Sequence, residues 1–182
     1  ELLALCEKAQ IPFGQTLLGL SAAPTDHPLN MGMLGMHGNL GPNVMTNQCD
    51  LLIAVGMRFD DRVTGNLKTY AKQAKVIHFE IDPSEIGKNV KPTLAVLGDC
   101  KQTLAAVTKF VEPACRPSWI EGFKPYADKE FSKVINPAIN PTEGPLLMGE
   151  VVRKVSEAAN NEAILVTDVG QNQMFGCRYF KY

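Results

Sequence analysis

Apolar residues fall along this chain in two kinds of pattern. DLLIAVG (50–56), VIHFEID (76–82) and LAVLGD (94–99) are short, nearly continuous apolar runs. Such runs predict strands, and DLLIAVG, closed by Gly56, predicts a central parallel strand buried on both faces. Residues 1–10 instead place Leu2, Leu5, Cys6 and Ala9 on one helical face. A second helix is expected from Cys100 to about Val111, with Asp99 as N-cap and Gln102 completing a capping box. IPFGQTLL (11–18) predicts a short strand entered through a proline, and Pro42 suits the first turn of a short helix. Strands alternating with helices predict an α/β fold, a Rossmann-like parallel sheet flanked by helices. Ligands of such sheets bind beyond the C-terminal ends of the strands.

The pattern changes after Val111. Residues 112–145 hold six of the twelve prolines and the only Trp, Trp119. This predicts a linker with a short charged helix inside it. Pro145 then opens an expected helix carrying Leu147, Val151, Val155 and Ala158 on one face, closed at Asn160–Asn161. AILVTDVGQNQM (163–174) predicts a buried strand and its exit loop. The expected organisation is therefore a first domain over 1–111, a linker over 112–143 and the start of a second α/β domain over 144–182. The helical start at ELLALCEKAQ and the stop at RYFKY lead us to expect an excised fragment of a longer protein.

Composition narrows the function classes. Hydrophobic content of 45% and charge of 20% are those of a globular chain. A net charge of −1 offers no electrostatic footprint for nucleic acid or an anionic membrane. No apolar run approaches the roughly 20 residues a bilayer span needs. The five cysteines are scattered without CxxC or Cys/His spacing. They are expected to be buried, reduced thiols of a cytoplasmic protein, with no disulfide framework and no metal site.

The candidate chemistry lies in the loops. NMGMLGMHGNLGPN (30–43) carries Gly32, Gly35, Gly38 and Gly41 at every third position. That spacing argues against a good strand or helix, since each interior Gly costs about 0.5–1 kcal/mol relative to Ala. Absent side chains let a backbone lie against a flat ring, with Met33, Leu34 and Met36 as soft apolar contacts and His37 at an edge; a plain mobile lid is the other reading of such a Gly/Met-rich loop. A dinucleotide fingerprint G-x-G-x-x-G is absent. GMRFDDRVTG (56–65) sets Arg58 and Arg62 around Asp60-Asp61. Guanidinium forks there suit a pyrophosphate or a carboxylate; a solvated charged turn is an equal reading of the same loop. Glu80 and Asp82 end their strand where an acid commonly meets a ribose, although on these residues alone Asp82-Pro83 starting a plain turn is the stronger reading. His78, inside a strand, reads as structural, and His27 receives no role.

GMLGMHG, DLLIAVGMRFDDRVTG, HFEIDPSEIGKNV and VTDVGQNQM, in this order and spacing, resemble the catalytic subunits of the acetolactate synthase (acetohydroxyacid synthase) family. These are thiamine-diphosphate enzymes of branched-chain amino-acid biosynthesis. The resemblance covers nearly the whole chain and is weakest at 112–143. It implies a central FAD-binding domain followed by the start of a thiamine-diphosphate-binding domain. It further implies that Thr16, Leu17, Leu18, Leu34, Gly35, Met36 and His37 line the flavin. Gly56, Met57, Arg58, Asp60, Arg62 and Val63 take the next part, Glu80 and Ile81 flank the adenosine end, and Gly98 with Asp99 closes the site. Arg62 is also implied as the receiver of a 2-ketoacid carboxylate.

Val169, Gly170 and Gln171 are implied to approach the thiamine diphosphate. Asn172 departs from the family, which has His there; it keeps a donor and loses a titratable ring. The glutamate that activates the thiamine, the magnesium motif and a glycine-rich strand before residue 1 are not among these residues. The chain alone is thus expected to be inactive. The implied parent condenses two 2-ketoacids, pyruvate with pyruvate or 2-ketobutyrate, releasing CO2 with FAD, thiamine diphosphate and Mg2+ bound. It is implied to be a homo-oligomer that takes a small regulatory subunit in some members. The rival readings are another thiamine-diphosphate carboligase or decarboxylase, a flavin oxidoreductase, and a non-catalytic FAD- or NAD-binding module.

Overall fold

A computed structural model describes residues 1–182. Helix α1 (Leu2–Ala9) leads into β1 (Phe13–Gln15), and β2 (Asn30–Met33) pairs parallel with β1. Helix α2 (Leu40–Thr46) is followed by β3 (Leu51–Val55), the short turn α3 (Asp61–Thr64), β4 (Lys75–Glu80) and β5 (Leu94–Leu97). The last three strands form a parallel sheet in the order β3-β4-β5, and α4 (Cys100–Thr108) returns against it. The expected α/β class, with parallel strands flanked by helices, is what forms.

Period-two alternation sorts the side chains of this sheet. Phe79 of β4 packs on Leu5 of α1 and Leu104 of α4, with Ile53, Val55, Ile77 and Val96 around them. The opposite face packs Ala54 and Val76 against Phe59, Tyr70 and Ala71 from the connection between β3 and β4. The fully buried large side chains among them, Leu5, Phe59, Phe79 and Leu104, contribute about 1.5–3 kcal/mol each by leaving water. Asp99 caps α4 as expected, accepting from the Gln102 N–H at 3.1 Å, although the helix ends at Thr108.

Several expectations are overturned. Asn30–Met33 is a strand despite its glycine, because the Asn39 side chain accepts from the Met33 N–H at 2.8 Å and the Asn30 side chain from the Gly32 N–H at 3.0 Å. The strand expected over 11–18 shortens to β1, after which Leu17–Gly19 forms a single 3-10 turn. β3 is an edge strand, paired only with β4. Its free edge and that of β1 line one cavity of about 730 Å³. Gln15 and Tyr70 line it too, and the Gln15 Oε1 and Tyr70 hydroxyl are buried there without partners. An apolar run reports burial; which strand lies beside it is set by topology.

Residues 112–145 are largely helical, with α5 (Pro117–Glu121), α6 (Lys124–Glu130), a wider π turn at Phe131–Ile135 and α7 (Asn136–Ile139). Gly41 of α2 is small enough for Phe123 and Tyr126 to pack over it. Helix α8 (Met148–Ala158) starts three residues after Pro145. Its expected apolar face is open, with Val151 37% and Val155 55% exposed. No strand forms over 163–169, where Ile164 is 92% and Val166 86% exposed. Leu165 and Thr167 lean on Gly176 of α9 (Gln171–Tyr179), so the run keeps strand-like alternation. Without a neighbour to take its backbone hydrogen bonds it is not part of a sheet. All five cysteines are free, but only Cys6 and Cys49 are buried, and Cys115 is exposed.

Candidate functional site

Five of the expected segments lie directly after the five parallel strands. Thr16, Leu17 and Leu18 follow β1; Leu34 to His37 follow β2; Gly56 to Val63 follow β3. Glu80 ends β4 and Ile81 follows it, and Gly98 with Asp99 follows β5. Backbone bonds carry this alignment past the strand ends: the Gly56 N–H donates to the Phe79 carbonyl at 2.8 Å, and the Gly98 N–H to the Glu80 carbonyl at 2.9 Å. The two sheets meet at the same rim, because the Met36 N–H donates to the Arg62 carbonyl at 2.8 Å.

The glycines of GMLGMHG serve this rim first by protein–protein approach. Gly35 has φ +98°, and a Cβ there would lie 2.7 Å from the Arg62 carbonyl oxygen. Its backbone is held on both sides by Asn43, whose Oδ1 accepts from the Gly35 N–H and whose Nδ2 donates to the Gly35 carbonyl, each at 2.9 Å. A Cβ on Gly38 would overlap the Met33 carbonyl. Neither Asn39 nor Asn43 drew attention in the sequence; the only signal was an Asn at the loop's end and another four residues on.

In the loop after β3, Asp60 caps α3, its Oδ1 accepting from the Arg62 N–H at 3.1 Å. The Arg58 guanidinium lies 3.5 Å from Asp60 Oδ2 and stays 62% exposed. The Arg62 guanidinium reaches only the Met36 sulfur, at 3.7 Å. Both arginines are thus presented outward from a folded loop. Glu80 is buried, and its Oε1 accepts from the Ile81 and Asp82 N–H groups at 2.8 and 3.2 Å. Asp82 begins a turn, accepting from the Ser84 N–H at 2.8 Å, and hydrogen bonding to Ser84, from its side chain first and its backbone second, holds the Asp82 carboxyl below the usual range. His78 is fully buried, with Nε2 2.9 Å from the Met57 carbonyl.

Beside its outward-facing arginines, the rim also exposes apolar side chains. Leu18, Met36 and Ile81 are 85%, 63% and 65% exposed, an apolar surface for a ring system. A Cβ on Gly56 would meet nothing within 4 Å, so the backbone there is open to a ligand's approach. No group of three or more His, Cys, Asp or Glu is arranged to hold a metal ion.

The family model of the thiamine pyrophosphate enzyme central domain matches residues 1–107, more than half of the chain and all five strands. The chain belongs to the thiamine pyrophosphate enzyme family. Among curated proteins, this family member is 44% identical to the acetolactate synthase large subunit of Parasynechococcus marenigrum, over 97% of the chain and 28% of that protein. It is 40% identical to a probable acetolactate synthase large subunit of Methanocaldococcus jannaschii, over 100% of the chain and 31% of that protein. Chloroplastic acetolactate synthase 2 of Zea mays is 37% identical, over 100% of the chain and 29% of its own length. The chain therefore spans under a third of the length of these relatives.

The thiamine pyrophosphate enzyme central domain match stops before the last expected segment. Val169 is 85% exposed, Gly170 precedes α9, and Gln171 and Asn172 are its first two residues. Their bonds stay local: Asp168 accepts from the Val169 N–H, and the Gly170 carbonyl from the Met174 N–H. The structure shows no hydrogen bond between these residues and the rim. The other end of α9 does reach it, since Arg178 donates to the His37 and Gly38 carbonyls at 3.1 and 3.2 Å and pairs with Glu130. Neither partner of that pair was singled out in the sequence, where 48 residues separate them.

Proposed function

We propose that this chain is the flavin-binding part of an acetolactate synthase catalytic subunit. The observation that carries the reading is the placement of all five implied FAD segments after five parallel strands, joined by the Met36–Arg62 bond. Thr16 to Leu18 and Leu34 to His37 would hold the ring system. Gly56, Met57, Arg58, Asp60, Arg62 and Val63 would hold the diphosphate region, with Arg58 supplying the cationic fork. Glu80, Ile81, Gly98 and Asp99 would border the adenosine end.

In the whole protein, thiamine diphosphate with Mg2+ would supply the chemistry that joins two 2-ketoacids with loss of CO2. Val169, Gly170, Gln171 and Asn172 would approach that cofactor, and Arg62 would receive a substrate carboxylate. The reading includes a homo-oligomeric parent in which a small regulatory subunit is an additional partner. It also includes a cytoplasmic setting, in keeping with five free cysteines; the Zea mays relative is named as chloroplastic. No helix is long and apolar enough to cross a membrane. By themselves, residues 1–182 are expected to form no acetolactate from pyruvate.

The test is a fluorescence-quenching titration of the chain with FAD, run beside NAD and beside Arg58→Ala. Saturable FAD binding, weakened in the variant, supports the reading. A preference for NAD, or FAD binding indifferent to Arg58→Ala, would sink it.

A further inference from the structure

The backbone of the Arg58–Arg62 loop follows an unusual path. Phe59 is a bulky residue with φ +54° and is 2% exposed. Left-handed backbone at such a residue costs on the order of 1–3 kcal/mol and persists only where the surroundings over-determine it. Apart from the exposed Arg58–Asp60 side-chain pair, the loop's own short-range bonds begin at Asp60, whose carboxylate and carbonyl cap α3. The path through Met57, Arg58 and Phe59 is held from outside.

Two side chains hold it. His78, on β4 and wholly buried, has Nε2 2.9 Å from the Met57 carbonyl. A carbonyl only accepts, so Nε2 carries the proton and donates. Asn89 Nδ2 donates to the Phe59 carbonyl at 3.1 Å and toward the Arg58 carbonyl at 3.4 Å. The Phe59 ring meets the His78 ring edge-on, with centroids 5.1 Å apart, and the Tyr70 ring at 6.3 Å. Three consecutive carbonyls are thus engaged by two side chains from different parts of the chain. With the Met57 carbonyl bonded to buried His78, the next two carbonyls held by Asn89 and the Phe59 ring in the core, Arg58 and Asp60 on either side are left facing outward.

We propose that His78 and Asn89 are positioning residues for the cationic loop: they set its strained turn so that Arg58 is pre-placed for an anionic ligand. This rests on the flavin reading for the identity of the ligand, but the positioning itself does not. Pre-placement saves the ordering cost a mobile arginine would incur on binding. Asn89 is exposed, so its removal leaves the core intact.

The experiment compares wild type, Asn89→Ala, His78→Phe and His78→Gln by 15N relaxation and FAD titration. His78→Phe keeps a ring beside Phe59 and loses the donor, whereas His78→Gln keeps a side-chain N–H. Amides of residues 57–60 are expected to be rigid in wild type, with order parameters near about 0.85, and to fall toward about 0.6 in Asn89→Ala and His78→Phe. FAD affinity is expected to drop about five- to tenfold in both, with His78→Gln recovering part of it. Unchanged order parameters in Asn89→Ala would overturn the positioning role. A loosened loop in a chain whose wild type binds no FAD would sustain the positioning role and sink the flavin reading. Unchanged FAD affinity in a loosened variant would show that the turn does not serve that ligand.

Discussion

The Met36 N–H donates to the Arg62 carbonyl at 2.8 Å, and the Arg62 guanidinium turns back to lie 3.7 Å from the Met36 sulfur. Through this pair the loop after β2 and the loop after β3 become one surface. Two sheets that share no strand pairing are joined at the rim where the candidate ligand-binding residues sit.

Gly35 is where that surface is most sensitive. A methyl group there would stand 2.7 Å from the Arg62 carbonyl, at φ +98°. Gly35→Ala is expected to cost about 1–3 kcal/mol of stability and to part the two loops. Urea denaturation measures the first effect, and the amide shifts of Met36 and Val63 the second. A variant as stable as wild type would contradict this close approach.

The Glu130–Arg178 pair should hold α9 to the rest of the chain. Glu130 also accepts from the Leu40 N–H at 2.8 Å, and both partners are largely buried. Removing one member of such a pair costs about 3–5 kcal/mol, because the other is left buried and unpaired. Arg178→Ala is therefore expected to lower stability by about that amount and to open residues 171–179 to limited proteolysis. Cleavage no faster than in wild type would refute the tether.

How far the sequence was legible follows from how local each signal is. β4, and α4 with its Asp99 cap, were readable because a few neighbouring residues determine them. AILVT at 163–167 has the same apolar pattern as DLLIAVG, yet only the second finds a partner strand. Pairing is non-local, and nothing within a run of five residues encodes it. Asn30–Met33 failed in the opposite direction, since side chains from Asn30 and Asn39 compensate for glycine. At the site, the segments were legible by type and position. The clasps were not: Asn43 on Gly35, Asn89 on Phe59 and Arg178 on His37 are polar residues whose partners lie 8 to 141 positions away.

The open edge of β3 should be visible in hydrogen exchange. Lys75 N–H donates to the Asp50 carbonyl and Gly56 N–H to the Phe79 carbonyl. That parity points the backbone of Leu51, Ile53 and Val55 away from β4, toward the cavity shared with β1. Their amides are expected to exchange faster than those of Ile77 and Phe79, in a strand paired on both sides. Equal protection would mean that something closes the edge.

Alkaline conditions should weaken the fold. Burial, with Glu7 adding to it, pushes the Cys6 thiol from 9.0 up to about 11. Burial likewise pushes the Tyr70 hydroxyl from 10.0 up to about 12. Above pH 9 the unfolded chain releases protons that the folded chain retains, so stability falls as pH rises through this range. Urea midpoints at pH 8, 9 and 10.5 should decrease in that order. A midpoint that rises over this interval would contradict the burial of these two groups. In the native state at pH 8, a thiol reagent should modify exposed Cys115 well before Cys6.

The most direct test of the central claim is a map of backbone amide shifts as FAD is added to the chain. The account predicts that the largest changes fall on residues 16–18, 34–37, 56–63, 80–81 and 98–99, five segments far apart in sequence and adjacent only at the C-terminal rim. Changes confined to other surfaces, or spread evenly over the chain, would contradict it.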